Sequence, residues 1–254
     1  MPAPLPIPPE NLRIWVGPFA DAEVFRDSGV RNVRSIVELC ALQPDARVLE
    51  VGCGCGRIAA ALAPHLSAAG SYEGFDVAAP LVDWCRMELA TRLPNFRFHF
   101  AGDVRAPGYN PSGTIWPAHF EFPYPAASFD LVILSSVLTH MLPDAIDNYI
   151  RQTARVLRPG GSAFMSVFLF DAAAATAVRN GTTIFDFRHA VGPCLTFDRE
   201  HPEEGIACEE AWFASVIANA GLRIAEVQRG DWRAVRSYAI TQDYVVAKRP
   251  MSAV

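Results

Sequence analysis

Lysine is almost missing from this chain of 254 residues: Lys248 stands alone, and arginine supplies the rest of the 22 basic side chains. Against 27 acidic residues the formal net charge is −5, and the pI is about 5.7. That balance argues against a nucleic-acid groove as the main surface. The arginine bias, set beside abundant alanine, reads as composition and not as a phosphate site. No C-x-x-C pair occurs among the six cysteines, Cys40, Cys53, Cys55, Cys85, Cys194 and Cys208. Their spacing argues against a disulfide framework and against a zinc site. No paired Asp cluster announces a catalytic metal either, so no metal is expected. Long apolar runs are also lacking. The most apolar late stretch, Ala163 to Val178, is interrupted by Ser166 and Asp171 and is short for a bilayer span. The opening MPAPLPIPPE has neither the basic nor the apolar segment of a signal peptide, and residues 1–18 read as a polyproline-like arm. The expectation is a soluble, cytoplasmic protein with no membrane or nucleic-acid partner.

What the chain has is apolar surface, 51% hydrophobic and 11% aromatic, enough to offset chain entropy and form a large core. Residues 19–254 read as a single domain. Phe19 to Leu42 is helical, ended by Pro44. Strands are expected at Arg47–Val51, Ser71–Asp76, Phe96–Ala101, Phe129–Leu134 and Ser162–Leu169. The helices between them start near Ile58, at Pro80 and at Pro143, and a further helix runs from Ala211 to Ala220, capped by Gly221. Leu222–Val227 and Tyr238–Ala247 follow with no helix-length segment between them. Five strand–helix alternations closed by a strand pair too near for a parallel crossover predict an α/β, mostly parallel sheet with an antiparallel end. Two stretches, 103–128 and roughly 171–207, are too long for ordinary connections and are read as functional or mobile loops.

The chemistry concentrates in Val48-Leu-Glu-Val-Gly-Cys-Gly-Cys-Gly56, a strand, a tight turn and a helix start. Glycines let the backbone approach a ligand closely, and a helix N-terminus offers free N–H groups. A dinucleotide fingerprint is G-x-G-x-x-G. Here the third glycine comes one residue early, at Gly56, and Arg57 takes the fingerprint position. Glu50 at the strand end would repel a pyrophosphate but could orient an ammonium group. Asp76, about 20 residues on, could accept two hydrogen bonds from a vicinal diol, a position that NAD sites share.

From Arg47 to Leu169, together with the closing strand pair, this text resembles the class I S-adenosylmethionine-dependent methyltransferases. The resemblance implies a Rossmann-like seven-stranded sheet of order 3-2-1-4-5-7-6, strand 7 antiparallel, with helices on both faces. It implies S-adenosylmethionine as cofactor and S-adenosylhomocysteine as product. In the family's E/D-x-G-x-G-x-G turn, Glu50, Gly52, Cys53, Gly54 and Gly56 would hold the methionine end. Asp76 with Val77 would meet the ribose, and Asp103 with Val104 the adenine. Ser135 and Ser136 would line the cofactor's other side, and Arg155-Val-Leu-Arg-Pro-Gly-Gly161 matches the family's turn into strand five. The N/D-P-P-Y-like tetrad of members that act on amide or nucleobase nitrogen is replaced by Leu134-Ser-Ser-Val137.

Ligands of open α/β sheets bind beyond the carboxyl ends of the strands, which puts the acceptor near Ser135-Ser-Val-Leu-Thr-His140. His140 is the candidate general base, with a pocket-wall histidine as the alternative, and His119 is the second candidate. Tyr109, Trp116, Phe120, Phe122 and Tyr124 form either a lid or acceptor platform, or else a hydrophobic cover or homodimer contact. Asp186, Arg188, His189, Asp198, Arg199 and His201 suit a hydroxylated or charged acceptor, or simply a solvated loop. Trp15 and Trp232 are read either as walls of the two pockets or as core. The reading is methyl transfer to oxygen of a small-molecule or sugar-like acceptor. The alternatives are a catalytically inactive cofactor-binding regulatory subunit, and another group transfer from the same cofactor, such as aminopropyl transfer.

Overall fold

The computed structural model describes residues 4–233 and 242–251. Five parallel strands carry the fold: β1 (Arg47–Val51), β2 (Ser71–Asp76), β3 (Phe96–Phe100), β4 (Phe129–Leu134) and β5 (Leu157–Phe170). They lie in the order β3-β2-β1-β4-β5. Beyond β5 the chain adds β10 (Asp243–Lys248), antiparallel to β5, and β9 (Arg223–Gln228), antiparallel to β10. This is the expected seven-stranded order, with β10 as the antiparallel strand. The first residues of the expected closing strand, 238–241, lie outside the described residues.

The central strands β1, β4 and β5 are buried on both faces, as in most parallel sheets. Alternation along β1 sends Val48 to one face and Leu49 and Val51 to the other. On the first face pack α2 (Ala22–Cys40), α3 (Arg57–Leu62) and α4 (Ala79–Cys85), through Ile36, Ile58, Leu62 and Leu81. On the second pack α5 (Pro143–Val156) and α7 (Glu210–Asn219), through Ile146, Ile150, Phe213 and Ile217. α2 is started by Asp21, whose carboxylate accepts from the N–H groups of Glu23 and Val24 at 2.8 and 2.9 Å, a cap worth ~1 kcal/mol. α4 widens into a π-helical turn over Arg86–Ala90.

Three features depart from the sequence reading. The arm is extended only to Pro9; Glu10–Arg13 is a helical turn, α1, that continues as a 3-10 turn through Val16. Arg13 fastens it, donating to the carbonyls of Pro8, Phe19 and Ala20. The stretch 171–207 is no plain loop. It holds α6 (Ala172–Arg179) and an antiparallel ribbon of β6 (His189–Val191), β7 (Cys194–Thr196) and β8 (Ile206–Glu209). The sheet therefore has ten strands, because the last three residues of β5, Phe168–Phe170, pair in parallel with β8. A small aromatic core of Phe168, Phe187 and Trp232 fills the space beneath this insertion. The stretch 103–128 does remain irregular, with a single 3-10 turn at Pro117–His119.

Candidate functional site

β1 delivers the chain into a turn in which Gly52 and Gly54 have φ of +70° and +53°. The left-handed region costs an L-residue ~1–2 kcal/mol. Space forbids a side chain there as well: a Cβ at Gly52 would sit 2.5 Å from Val137 Cγ2, and one at Gly54 2.6 Å from Val16 Cγ1. Gly56, also left-handed, opens α3 and packs against Leu89 of the π-helical turn. The N–H groups of Gly52 and Cys53 both donate to Phe75 O, at 2.8 and 3.0 Å, which pins the turn to the end of β2. Cys53 and Cys55 are buried, so they serve the turn from inside.

Asp76 closes β2 beside this turn. Gly54 N–H donates to its Oδ2 at 2.8 Å and Ala78 N–H to its Oδ1 at 2.9 Å. Burial nevertheless pushes the carboxyl above its ordinary range, outweighing the lowering by its backbone donors. Each oxygen keeps a further lone pair. Val77, next in the chain, is half-buried. Across the crevice, Ser136 holds a left-handed φ of +59°, an uncommon conformation for a serine. It is secured by its N–H donating to Ser166 Oγ at 2.7 Å and its hydroxyl donating to Gln242 Oε1 at 3.1 Å. Ser135 is half-buried beside it. Asp103 is exposed, and its carboxylate accepts no hydrogen bond among the described residues; its carbonyl takes the N–H groups of Thr114 and Ile115. Val104 is buried and bridges Ile115.

Glu50 stands two residues before Gly52, at the end of β1. It shares the β1 face of Val48, is 2% exposed, and accepts the Tyr72 hydroxyl at 2.5 Å. Burial raises its pKa to about 8, against smaller lowering by Tyr72 and by Arg57. Strand alternation thus turns the carboxyl to the sheet face of Val48, against Tyr72 and within reach of the charge of Asp76.

His140 ends a 3-10 turn, Leu138–His140, after β4. Its Nδ1 lies 2.8 Å from Glu203 O, in the 3-10 turn Pro202–Glu204 of the insertion. A carbonyl oxygen can only accept, so Nδ1 carries the proton and Nε2 holds the free lone pair. Tyr109 meets the imidazole edge to face, ring centres 6.2 Å apart. Its hydroxyl pKa is raised by burial first, then by the charges of Asp76 and Glu204. Loop 103–128 and the insertion therefore converge on His140. His119 takes no part in this group: it is exposed, on a turn that Asn148 of α5 holds through Pro117 O and Phe120 O.

The loop aromatics divide. Phe122 is 1% exposed between Phe75 and Tyr149 and belongs to the core, with Phe120 and Tyr124 packed beside it. Tyr109 and Trp116 are exposed. Trp232 is fully buried, its Nε1 donating to Asp243 at 2.9 Å, so it is core and not an acceptor wall. Trp15 lies exposed on the arm, next to the Val16 that covers Gly54. The Glu203 carbonyl, Ser166 and Val137 were invisible as site residues in the sequence. They are a backbone atom, a mid-strand serine and an ordinary valine, placed only by tertiary packing.

Residues 48–161 match the profile of a methyltransferase domain family. The chain is 30% identical over 128 residues to the nocamycin O-methyltransferase of Saccharothrix syringae, a match covering 50% of this chain and 40% of that protein. Among solved structures it is similar to a SAM-dependent methyltransferase of Methanosarcina mazei (TM-score 0.59, 18% identity, 85% of this chain and 98% of that one). It is similar also to 1,6-didemethyltoxoflavin-N1-methyltransferase of Burkholderia thailandensis, solved with S-adenosylhomocysteine (TM-score 0.57, 21% identity, 98% and 93%). The [4+2]-cyclase SpnF has the same fold (TM-score 0.56, 19% identity, 88% and 81%). Residues 48–161 are thus similar to a methyltransferase domain, and the chain as a whole has the fold of these S-adenosylmethionine-dependent methyltransferases.

Proposed function

We propose that this chain binds S-adenosylmethionine between the glycine turn and Ser136, and transfers its methyl group to a hydroxyl of a small-molecule or carbohydrate-like acceptor. The observation that carries the reading is Asp76: a half-buried carboxylate, tied to the glycine turn through Gly54 N–H, with lone pairs still free and a pKa raised by its removal from solvent. The two hydroxyls of a ribose are donors of the kind it lacks. Gly52 to Gly56 would carry the methionine end, the exposed carboxylate of Asp103 the adenine amino group, and Ser135 and Ser136 the opposite wall. When bound, the cofactor supplies a methyl already activated by its sulfonium.

The chain's part is alignment and proton removal. Holding donor and acceptor in line lowers a barrier by ~7–11 kcal/mol. His140 Nε2 would take the hydroxyl proton. The resulting imidazolium keeps its Nδ1–H bond to Glu203 O, so the ring need not turn as it charges. Oxygen as the acceptor atom is supported by that tautomer and by the likeness to an O-methyltransferase over half the chain. Fold alone does not choose the reaction, as the cyclase neighbour illustrates.

The test is release of S-adenosylhomocysteine from S-adenosylmethionine against a panel of hydroxylated small molecules and sugars, with amines as the contrast. Turnover with hydroxyl acceptors supports the reading. Turnover confined to amines overturns the oxygen assignment, and binding without turnover on any acceptor favours a regulatory, non-catalytic role.

A further inference from the structure

Cys194 and Cys208 face one another across β7 and β8, where they are register partners. One step along the ladder, Glu209 N–H donates to Pro193 O at 3.1 Å. Hydrogen-bonded and non-hydrogen-bonded positions alternate in an antiparallel pair. Pro193–Glu209 is of the first kind, so Cys194–Cys208 is of the second, where facing Cα atoms approach to about 4.5 Å. That separation lies inside the roughly 4.4–6.8 Å that a disulfide spans. The side chains agree with the backbone: the two sulfurs are 3.5 Å apart, the Cys194 thiol directed at the Cys208 sulfur. By contrast, Cys53 and Cys85 both direct their thiols at the Gly54 carbonyl and not at each other.

The segment between the two cysteines, 195–207, contains the turn that brings Glu203 O to His140. Thr196 folds it inward, its hydroxyl 3.1 Å from both Asp198 O and Pro202 O. A bond at its base would make the segment a closed ring.

We propose that Cys194 and Cys208 form a reversible cross-strand disulfide by exchange with a small-molecule disulfide of the glutathione type. Both sulfurs are buried; when the ribbon opens at the Gly192–Pro193 turn, the Cys194 thiolate attacks one sulfur of the small disulfide and expels a small thiolate. The Cys208 thiolate then attacks the Cys194 sulfur of the mixed disulfide and expels the second. The two protein thiol protons end on the two released thiols. The protein loses two electrons and the small disulfide gains them. The contact with Cys194, and then burial, hold the Cys208 thiol well above its ordinary pKa, so exchange proceeds through fraying of the ribbon and is slow. Formation of the bridge does not depend on the methyl-transfer reading.

The test equilibrates the full chain over a series of ratios of reduced to oxidised glutathione, quenches with an alkylating reagent under denaturing conditions, and maps peptides by mass spectrometry. The expected product at oxidising ratios is a peptide pair joined through Cys194 and Cys208, lost again in excess reduced glutathione. Cys40, Cys53, Cys55 and Cys85 should be recovered alkylated throughout. Cys208→Ser should abolish the link and leave at most a glutathione adduct on Cys194. Cys194→Ala should abolish it equally and serves if the serine variant does not fold. On the wild type, oxidised protein cut within 197–205 should stay joined on a non-reducing gel. Recovery of both cysteines alkylated at every ratio, or a link between any other pair, would overturn the proposal.

Discussion

Replacing Glu50 by glutamine isolates the cost of burying an acid at the end of β1. Glu50 is 2% exposed and is held by Tyr72, and burial lifts its pKa from 4.5 to about 8. The folded value lies above the unfolded one, so protonated Glu50 favours the fold. Its contribution is complete below about pH 4.5 and is lost as pH rises through about 8. A tenfold change in acidity is ~1.4 kcal/mol. The whole displacement therefore amounts to roughly 5 kcal/mol, of which about 2–3 kcal/mol falls between pH 5 and 7. Glutamine keeps an acceptor for the Tyr72 hydroxyl and cannot ionise. Urea unfolding of wild type and Glu50→Gln at pH 5, 7 and 9 gives the stability difference at each pH, and in that difference the other titrating groups cancel. Wild type should lose ~2–3 kcal/mol relative to the variant between pH 5 and 7, and about 1 kcal/mol more by pH 9. A difference that stays flat across the range would refute the reasoning, because it would mean that the carboxyl is as easily ionised folded as unfolded.

Gly54→Ala combines a left-handed backbone with a clash against Val16, and should lower stability by ~1–2 kcal/mol or more and loosen the arm. Thermal unfolding and protease sensitivity of residues 10–16 would show both effects; a variant with unchanged Tm would contradict the packing. His140→Ala should cut kcat while leaving S-adenosylmethionine affinity nearly intact. Near-normal kcat would make His140 a pocket wall. Thr139 is 2% exposed, and its hydroxyl has no partner among the described residues. Thr139→Val should therefore hold or raise stability by up to ~1 kcal/mol, and a clear loss in chemical denaturation would mean that the hydroxyl is bonded.

The parallel core was legible because β1 and β4 are short apolar runs bounded by turn residues and β2 follows at the spacing of a strand–helix–strand unit. β1, β2 and β4 fall where Arg47–Val51, Ser71–Asp76 and Phe129–Leu134 were expected. The ribbon was not legible. β6 and β7 have three residues each, too few for alternation to show, and Pro193 interrupts the pattern. α1 escaped for a like reason, being four residues behind a proline. In the site, the glycine turn could be read because glycine takes left-handed torsions without strain and lets the backbone pack closely. That Glu50 shares the sheet face of Val48 is implicit in the period of two along β1; its bond to Tyr72 of β2 is not. The partner of His140 lies 63 residues away in sequence and is a carbonyl, which no side-chain pattern encodes.

The central claim is that the crevice beside Asp76 holds S-adenosylmethionine. Titration calorimetry with S-adenosylmethionine and S-adenosylhomocysteine on wild type and on folded Asp76→Ala tests it directly. Both ligands should bind wild type at one site. The variant should lose two hydrogen bonds to a charged acceptor, ~1.5–3 kcal/mol each, a weakening of roughly 10²- to 10⁴-fold. No heat from either ligand, or equal affinity in the variant, would contradict the account.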